Sequence, residues 1–171
     1  MTWTAPGITR PGGSLSAGER TLLTGLLAWH RSTLLHKCAG LTGEQLAERS
    51  VPPSDLSLLG LIRHMAKVER IWFRERFAGQ DVPRLHGTGE NGNADFEECD
   101  PGRAAEDYAC LLEEQRLADA VVAQASLDDT FTTGGETYSL RFVLLHLIGE
   151  YARHNGHADL VRERVDGVTG A

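Results

Sequence analysis

The chain has 171 residues, of which 41% are hydrophobic and 24% charged, and its formal net charge is −7. This length fits one domain, over residues 1–171, that can bury a substantial core. The acidic balance argues against a nucleic-acid partner, because phosphate binding needs clustered Lys and Arg.

The N-terminal part of the sequence predicts an arm followed by two helices. Residues 1–13 are rich in Pro and Gly and are expected to form an extended arm. Apolar residues at helical spacing predict helix one over residues 16–38, with His30 near the centre of its apolar stripe. A short helix is predicted over residues 41–49, with Thr42 as its N-cap. The stripe of helix one consists of Leu23, Leu26, Leu27, His30 and Leu34.

The middle of the chain predicts a second helix and a long link. Helix two begins at Ser54 or Ser57 and ends at Phe77, before a glycine. The polar segment that follows, residues 80–101, joins it to helix three. A loop of this length inside a compact domain is more often functional than idle.

The C-terminal part predicts two more long helices around a polar turn region. Helix three is expected over residues 101–125, with Asp100 as its N-cap. Residues 127–138 are consistent with a short hairpin. The last helix lies between Ser139, its N-cap, and Gly167, just past its end. Four amphipathic helices predict an all-α protein, a four-helix bundle with a short extra helix and a link long enough for a crossover.

Neither the cysteines nor the hydrophobic pattern indicates an extracellular or membrane protein. Cys38, Cys99 and Cys110 are scattered and form no C-x-x-C pair, so they predict neither a zinc ribbon nor a disulfide framework. The first residues lack the apolar run of a signal peptide, and no run approaches the ~20 residues that cross a bilayer. We therefore expect a cytoplasmic protein with reduced thiols and no membrane partner.

The remaining charged residues and a glycine motif do not indicate a functional site. Most arginines alternate with glutamates along helices, which is typical of solvated helix faces. The acidic run from Asp95 to Asp100 is interpreted as a solvated loop that ends in a helix cap. Gly87, Gly89 and Gly92 spell G-x-G-x-x-G, but the flanking residues lack the strand and helix of a dinucleotide site. The arginines concerned are Arg70, Arg74, Arg76, Arg153, Arg162 and Arg164.

Two polar side chains interrupt the apolar face of the last helix. At about 100° per residue, Glu150 and His154 fall near the middle of that face. Burying an isolated carboxylate is costly unless it is paired or binds a metal. With His64 from helix two, they would supply three N and O ligands and leave one position open, which suits catalytic Zn²⁺. Ni²⁺ and Fe²⁺ are alternatives. The apolar members of the face are Val143, Leu147, Ala158, Val161 and Val165.

Simpler interpretations of the same residues stay open at this point. A Glu–His pair at i, i+4 also occurs as a surface ion pair, and His64 alone is consistent with a half-buried, hydrogen-bonded histidine. His30 is a candidate proton acceptor or a hydrogen-bonded core histidine.

Several segments resemble one protein family. The run H-x₃-E-x₃-H-N-G-H-A-D-L, residues 146–160, resembles the last-helix signature of the DinB-like superfamily. LSLLGLIRHMAKVERIWF, residues 56–73, resembles its second helix with a single histidine. MTWTAP at 1–6, KCAGLT at 37–42 and EYARHNGHADL at 150–160 resemble an actinobacterial branch of this superfamily.

The resemblance implies a bundle that binds a divalent metal through His64, Glu150 and His154, with Zn²⁺ expected first. Many relatives have histidine where this chain has Glu150, and a carboxylate there is similar to the mycothiol-dependent maleylpyruvate isomerase type. His157 stands where relatives often have Gln. It is a candidate, with His30, for a catalytic role, and also a spare ligand.

The superfamily includes enzymes that use bacillithiol, mycothiol or glutathione for S-transfer or isomerisation. The resemblance therefore implies mycothiol as cosubstrate, a small electrophile as substrate and a homodimer. A metal fits this chemistry because a coordinated thiol is deprotonated near neutral pH. Two alternatives are a non-catalytic bundle with a structural metal or polar core network, and a hydrolase with a metal-activated water.

Overall fold

The computed structural model describes residues 2–87 and 93–170, so Gly89 and Gly92 of the glycine motif lie outside the described residues. Within these ranges the chain is mainly helical, which confirms the predicted helical class. The long helices are α1 (Glu19–Cys38), α3 (Leu58–Glu69), α5 (Ala104–Ala123) and α6 (Leu140–Asp166). Helix α1 packs against α6, and α3 packs against both α5 and α6.

Shorter elements occupy the links between the long helices. The predicted short helix is α2 (Gly43–Ala47), and the long polar link contains a further helix, α4 (Ala94–Glu97). A 3₁₀ turn, Pro101–Arg103, leads into α5. The predicted hairpin is present as strands β1 (Thr130–Thr133) and β2 (Glu136–Ser139), which pair antiparallel.

The helix ends follow from the capping residues in the sequence. Thr42 and Gln45 form a capping box, in which each side chain accepts the other residue's backbone N–H. Of the two serines proposed to begin helix two, Ser57 is the N-cap. Ser139 caps α6, and Gly167 ends it in the left-handed conformation with φ 77°.

The N-terminal arm lies across the helical body. The Ala5 N–H donates to the Leu41 carbonyl at 2.9 Å, and the Ala5 carbonyl accepts from the Gly40 N–H at 2.8 Å. Trp3 packs edge-on against Tyr108 of α5, with ring centroids 5.9 Å apart. The arm therefore closes one end of the core.

Helices α1 and α6 run side by side in the same direction. Near their N-terminal ends, Arg141 Nε donates to Glu19 at 2.7 Å. Near their C-terminal ends, Arg162 donates to the carbonyls of Lys37 and Ala39 at 2.8 and 2.9 Å. Arg162 thereby satisfies carbonyls that the end of α1 leaves without helical partners.

The C-terminal part of helix two departs from the regular helix that its sequence predicts. It ends at Phe77 as expected, but Arg70–Phe77 is a π-helix. Arg70 and Arg74 point inward and bind Glu114 of α5 at 2.6 and 2.9 Å, with side chains only 15% and 16% exposed. The interpretation of these two arginines as a solvated face is therefore wrong, because the buried carboxylate requires their charge.

The apolar stripes are also not fully buried. Leu26, which belongs to the predicted apolar stripe of helix one, is 47% exposed, and Leu112 of α5 is 42% exposed. On α1, inward positions are taken by the buried polar residues Arg31 and Lys37. Periodicity placed these helices correctly but misjudged which of their residues face inward.

A buried polar network connects the four long helices. Arg31 of α1 makes two hydrogen bonds of 2.7 Å to Glu69 of α3, whose side chain is fully buried. Arg31 also binds Asp119 of α5 at 2.6 Å. Tyr151 of α6 donates to Glu69 at 2.9 Å and accepts from Gln115 of α5 at 3.1 Å. Burial and the nearby Glu69 raise the pKa of Tyr151, so its hydroxyl stays protonated.

Among the described residues, no helix combines the length and the apolar character needed to cross a membrane.

The cysteines Cys38, Cys99 and Cys110 are free thiols, and Cys38 is buried. Burial raises the pKa of Cys38 to about 12, despite the nearby Arg162, so this thiol is unreactive.

Glu69→Gln tests the importance of the buried network. Removing one charge leaves the Arg31 guanidinium buried and poorly paired, so we expect the free energy of unfolding to fall by about 3 kcal/mol. Urea denaturation followed by circular dichroism measures the change. Glu113→Gln, which removes an exposed i, i+3 pair with Arg116, is the matched control and should leave the midpoint unchanged. Equal effects of the two variants would contradict this account.

Candidate metal centre

The three predicted ligands come together between α3 and α6. One ligand atom each from His64, Glu150 and His154 lies within 4.8 Å of the other two. His154 Nε2 lies 3.5 Å from Glu150 Oε2. The ring centroids of His64 and His154 are 4.7 Å apart, with an angle of 64° between the planes. Two residues one turn apart on α6 therefore face one residue on α3.

The cluster lies at the edge of the core. His154 is 9% exposed, as expected for a residue in the middle of the buried face. The side chains of His64 and Glu150 are 22% and 30% exposed. Glu150 therefore lies at the border of that face, and one side of the cluster is open to solvent. A molecule from solution has access to this side.

His64 is held by a carboxylate that sequence reasoning missed. Its Nδ1 lies 2.8 Å from Oδ2 of Asp95, a residue of α4 whose side chain is 1% exposed. Burial opposes ionisation of Asp95, but the hydrogen bond from His64 and the charge of Lys67 outweigh it, so the pKa of Asp95 is lowered. A carboxylate only accepts hydrogen bonds, so His64 Nδ1 carries a hydrogen, and Nε2 is the nitrogen with the lone pair in the neutral form of the ring.

The interpretation of the acidic run as a solvated loop is therefore wrong for Asp95. The sequence contained one usable signal: an acidic residue in a long link that must pass the histidine of helix two. Nothing in the local pattern distinguished it from the other acidic residues of the run.

His154 is neutral and has its own partner. Burial, aided by His64, His157 and Arg153, lowers the pKa of His154 to about 4. Its Nδ1 lies 3.3 Å from Nδ1 of His157, one turn further along α6. One of the two facing nitrogens must donate and the other accept, and a hydrogen on His154 Nδ1 leaves its Nε2 free on the side of Glu150.

The donor set fits a divalent cation. Zn²⁺ bonds of about 2.0–2.2 Å in a tetrahedral arrangement separate neighbouring donors by roughly 3.4 Å. The 3.5 Å between His154 and Glu150 matches this value, and the 4.8 Å limit for the whole cluster requires only side-chain adjustment. Imidazole held through its second nitrogen by a carboxylate is typical of metal-binding histidines.

An aromatic surface adjoins the cluster on the side of the hairpin. His146 is one turn before Glu150, and its Nε2 lies 3.9 Å from Oε1 of that residue. The His146 ring is 4.5 Å from Trp72 and stacks on Phe142, with centroids 5.8 Å apart. Arg76 lies over the ring of Trp72, with its guanidinium carbon 4.4 Å from the ring centroid. Apolar and cationic groups are thus available next to the candidate centre.

His30, which was predicted to be catalytic, is not one of the three clustered residues and lies at the contact between α1 and α6. Its ring packs edge-on against Trp29, and its carbonyl accepts from Asn155 Nδ2 at 3.0 Å. Burial lowers the pKa of His30, so the ring is neutral near pH 7. These contacts join α1 to α6.

Comparisons with known proteins agree with this fold. A family model described as mycothiol-S-transferase matches residues 22–167, a range that contains all three clustered residues. A conserved protein from Enterococcus faecalis, known from its crystal structure, has a similar fold. The TM-score is 0.66 over 90% of this chain and 100% of that chain, at 16% identity. No curated protein sequence matches. The family model covers most of the chain, which therefore belongs to the mycothiol S-transferase family of the DinB-like superfamily.

Proposed function

We propose that this protein is a metal-dependent enzyme that joins mycothiol, through its thiolate sulfur, to a small electrophile, or isomerises such a compound with the aid of the thiol. His64, Glu150 and His154 would hold the cation within a four-helix bundle. The observation that carries the proposal is the meeting of these three donors at an edge that is open to solvent. Zn²⁺ suits the two neutral imidazoles and one carboxylate, and Ni²⁺ and Fe²⁺ are alternatives.

The surrounding residues orient the imidazole ligands and balance part of the charge of the ion. Asp95 keeps the hydrogen of His64 on Nδ1, and His157 lies where it can accept the hydrogen of His154 Nδ1. Glu150 offsets one positive charge of a divalent ion. When bound, the cation supplies the Lewis acidity that keeps a coordinated thiol deprotonated near neutral pH. The thiolate is the nucleophilic form in S-transfer, so the chemistry does not require a basic side chain to activate it.

The two histidines that were predicted to be catalytic, His157 and His30, have different proposed roles. His157 is best placed to orient His154, because the two rings are in hydrogen-bond contact. His30 contributes to the α1–α6 contact through Asn155, and we do not include it in the chemistry. Two further parts of the proposal are a homodimer, which the family resemblance implies, and a cytoplasmic location.

A triple variant, His64→Ala with Glu150→Ala and His154→Ala, tests the metal centre. We expect about one equivalent of metal in the purified wild type and less than about a tenth in the variant, because all three donors are lost. Inductively coupled plasma mass spectrometry gives the content. His36→Ala, which removes an exposed histidine of α1, is the control and should keep wild-type metal. Equal, substoichiometric metal in all three proteins would exclude the site.

Turnover of a halogenated dye with and without mycothiol tests the reaction. We expect product only with thiol and metal together, loss of activity after chelation, and recovery on adding Zn²⁺ back. If the metal is structural, chelation lowers the melting temperature and no thiol-dependent turnover appears at any metal loading. Hydrolysis of an ester or amide panel without thiol would instead indicate a hydrolase.

A further inference from the structure

We propose that α4, the short helix in the link between α3 and α5, positions His64 and so sets the affinity of the centre for its metal. The inference rests on the proposed metal-dependent function. It concerns Asp95 and Phe96 as positioning residues, neither of which belongs to the ligand set.

Two consecutive residues of α4 hold the His64 ring from different directions. Asp95 accepts from its Nδ1 at 2.8 Å. Phe96 stacks on the same ring, with centroids 5.1 Å apart and 30° between the planes. The hydrogen bond fixes the rotation of the ring and the location of its hydrogen, and the stacked phenyl ring limits its tilt. Together they direct Nε2 toward Glu150 and His154.

Two arginines anchor α4 to the body of the protein. Arg63, which precedes the ligand on α3 and is 5% exposed, donates to the carbonyls of Ala94 and Asp95 at 3.1 and 3.0 Å. Arg49 donates to the Phe96 carbonyl at 3.2 Å. The four-residue helix gives the Ala94 carbonyl one backbone partner, the Glu98 N–H at 3.2 Å, and the two arginines add hydrogen bonds to all three carbonyls. The anchoring of α4 therefore depends on side chains from α3 and from the link after α2.

The position of the Phe96 ring also depends on a glycine on α3. A Cβ built on Gly60 would lie 2.8 Å from Cδ1 of Phe96 and 3.2 Å from Oγ of Ser57. A methyl group there would displace the phenyl ring from its place against His64 and crowd the N-cap of α3. Gly60, one turn before His64, therefore leaves the space in which the ring stacks on the ligand.

The physical consequence is a rigid, preformed ligand. A free imidazole exchanges its hydrogen between two nitrogens and rotates about two bonds, and both freedoms must be lost on metal binding. Here α4 removes them before the metal arrives. Loss of such a supporting hydrogen bond typically lowers metal affinity by about 10–100-fold. The polar link thus acts as part of the centre although it supplies none of the predicted ligands.

Asp95→Asn and Gly60→Ala test the inference in the full-length protein. Zn²⁺ affinity is measured by competition with a chromophoric chelator, and stability by urea denaturation. We expect Asp95→Asn to weaken Zn²⁺ binding by about 10–100-fold and Gly60→Ala to weaken it in the same direction. Each has a matched control.

Glu114→Gln removes another buried carboxylate, one that binds Arg70 and Arg74 away from the cluster. Gly25→Ala adds a methyl group to a helical glycine with nothing within 4 Å of the new atom. Both controls should keep wild-type Zn²⁺ affinity, even where the urea midpoint changes.

A second readout does not depend on metal. Long-range ¹H–¹⁵N spectra of the metal-free protein report which nitrogen of His64 carries the hydrogen, with His64→Gln for assignment. We expect the Nδ1–H form in the wild type and loss of this single form in Asp95→Ala, which has no side-chain acceptor.

The outcomes separate the two levels of the argument. If the wild type binds Zn²⁺ and Asp95→Asn binds it as tightly as Glu114→Gln, the positioning role is overturned and the proposed function stands. A wild type without Zn²⁺ affinity overturns the proposed function and, with it, the effect of α4 on affinity. A single Nδ1–H form that persists in Asp95→Ala overturns the hydrogen-bond argument in either case.

Discussion

The hydrogen bond from Tyr151 to the buried carboxylate of Glu69 determines how α3 lies against α6. Glu69 is five residues beyond His64, and Tyr151 lies between Glu150 and His154, so the bond fixes the register in which the three donors meet. Arg31 neutralises the carboxylate from α1, which makes the burial of Glu69 tolerable. The candidate centre therefore depends on a polar network in the core that is not itself part of the centre.

Much of the fold was accessible from the sequence because its signals are local. Helical periodicity and capping residues placed the long helices, the short helix after Thr42 and the hairpin before Ser139. The failures concern contacts between distant segments. Arg70 and Arg74 looked like solvated residues because a sequence does not reveal Glu114 opposite them. The π-helix arises in the same segment, and apolar spacing does not separate it from an ordinary helix.

The residues of the candidate centre were predictable where the signal was local and not where it came from a distant segment. A carboxylate and an imidazole on an apolar face indicated Glu150 and His154, His64 of helix two was the proposed third ligand, and the family resemblance implied the same three residues. Asp95 was not predictable, since it lies in a polar link whose path over α3 is set by Arg63, Arg49 and the space at Gly60. Residues that bind a metal tend to leave a pattern on their helix, whereas residues that orient those ligands come from wherever the chain passes nearby.

The arrangement suits a thiol-transfer enzyme better than a closed structural site. The donors lie at the border of the core, one side is open, and an aromatic surface around Trp72 and His146 adjoins that side. A structural zinc site normally has four protein ligands and no open position. Among the described residues, the cluster supplies three.

The most direct test is an anomalous difference map from crystals grown with Zn²⁺ and recorded on both sides of the zinc edge. The account predicts one strong peak, within bonding distance of His64 Nε2, a Glu150 carboxylate oxygen and a His154 nitrogen, with density from solvent in the remaining position. A map with no peak between α3 and α6, or with the ion bound elsewhere on the chain, would contradict it.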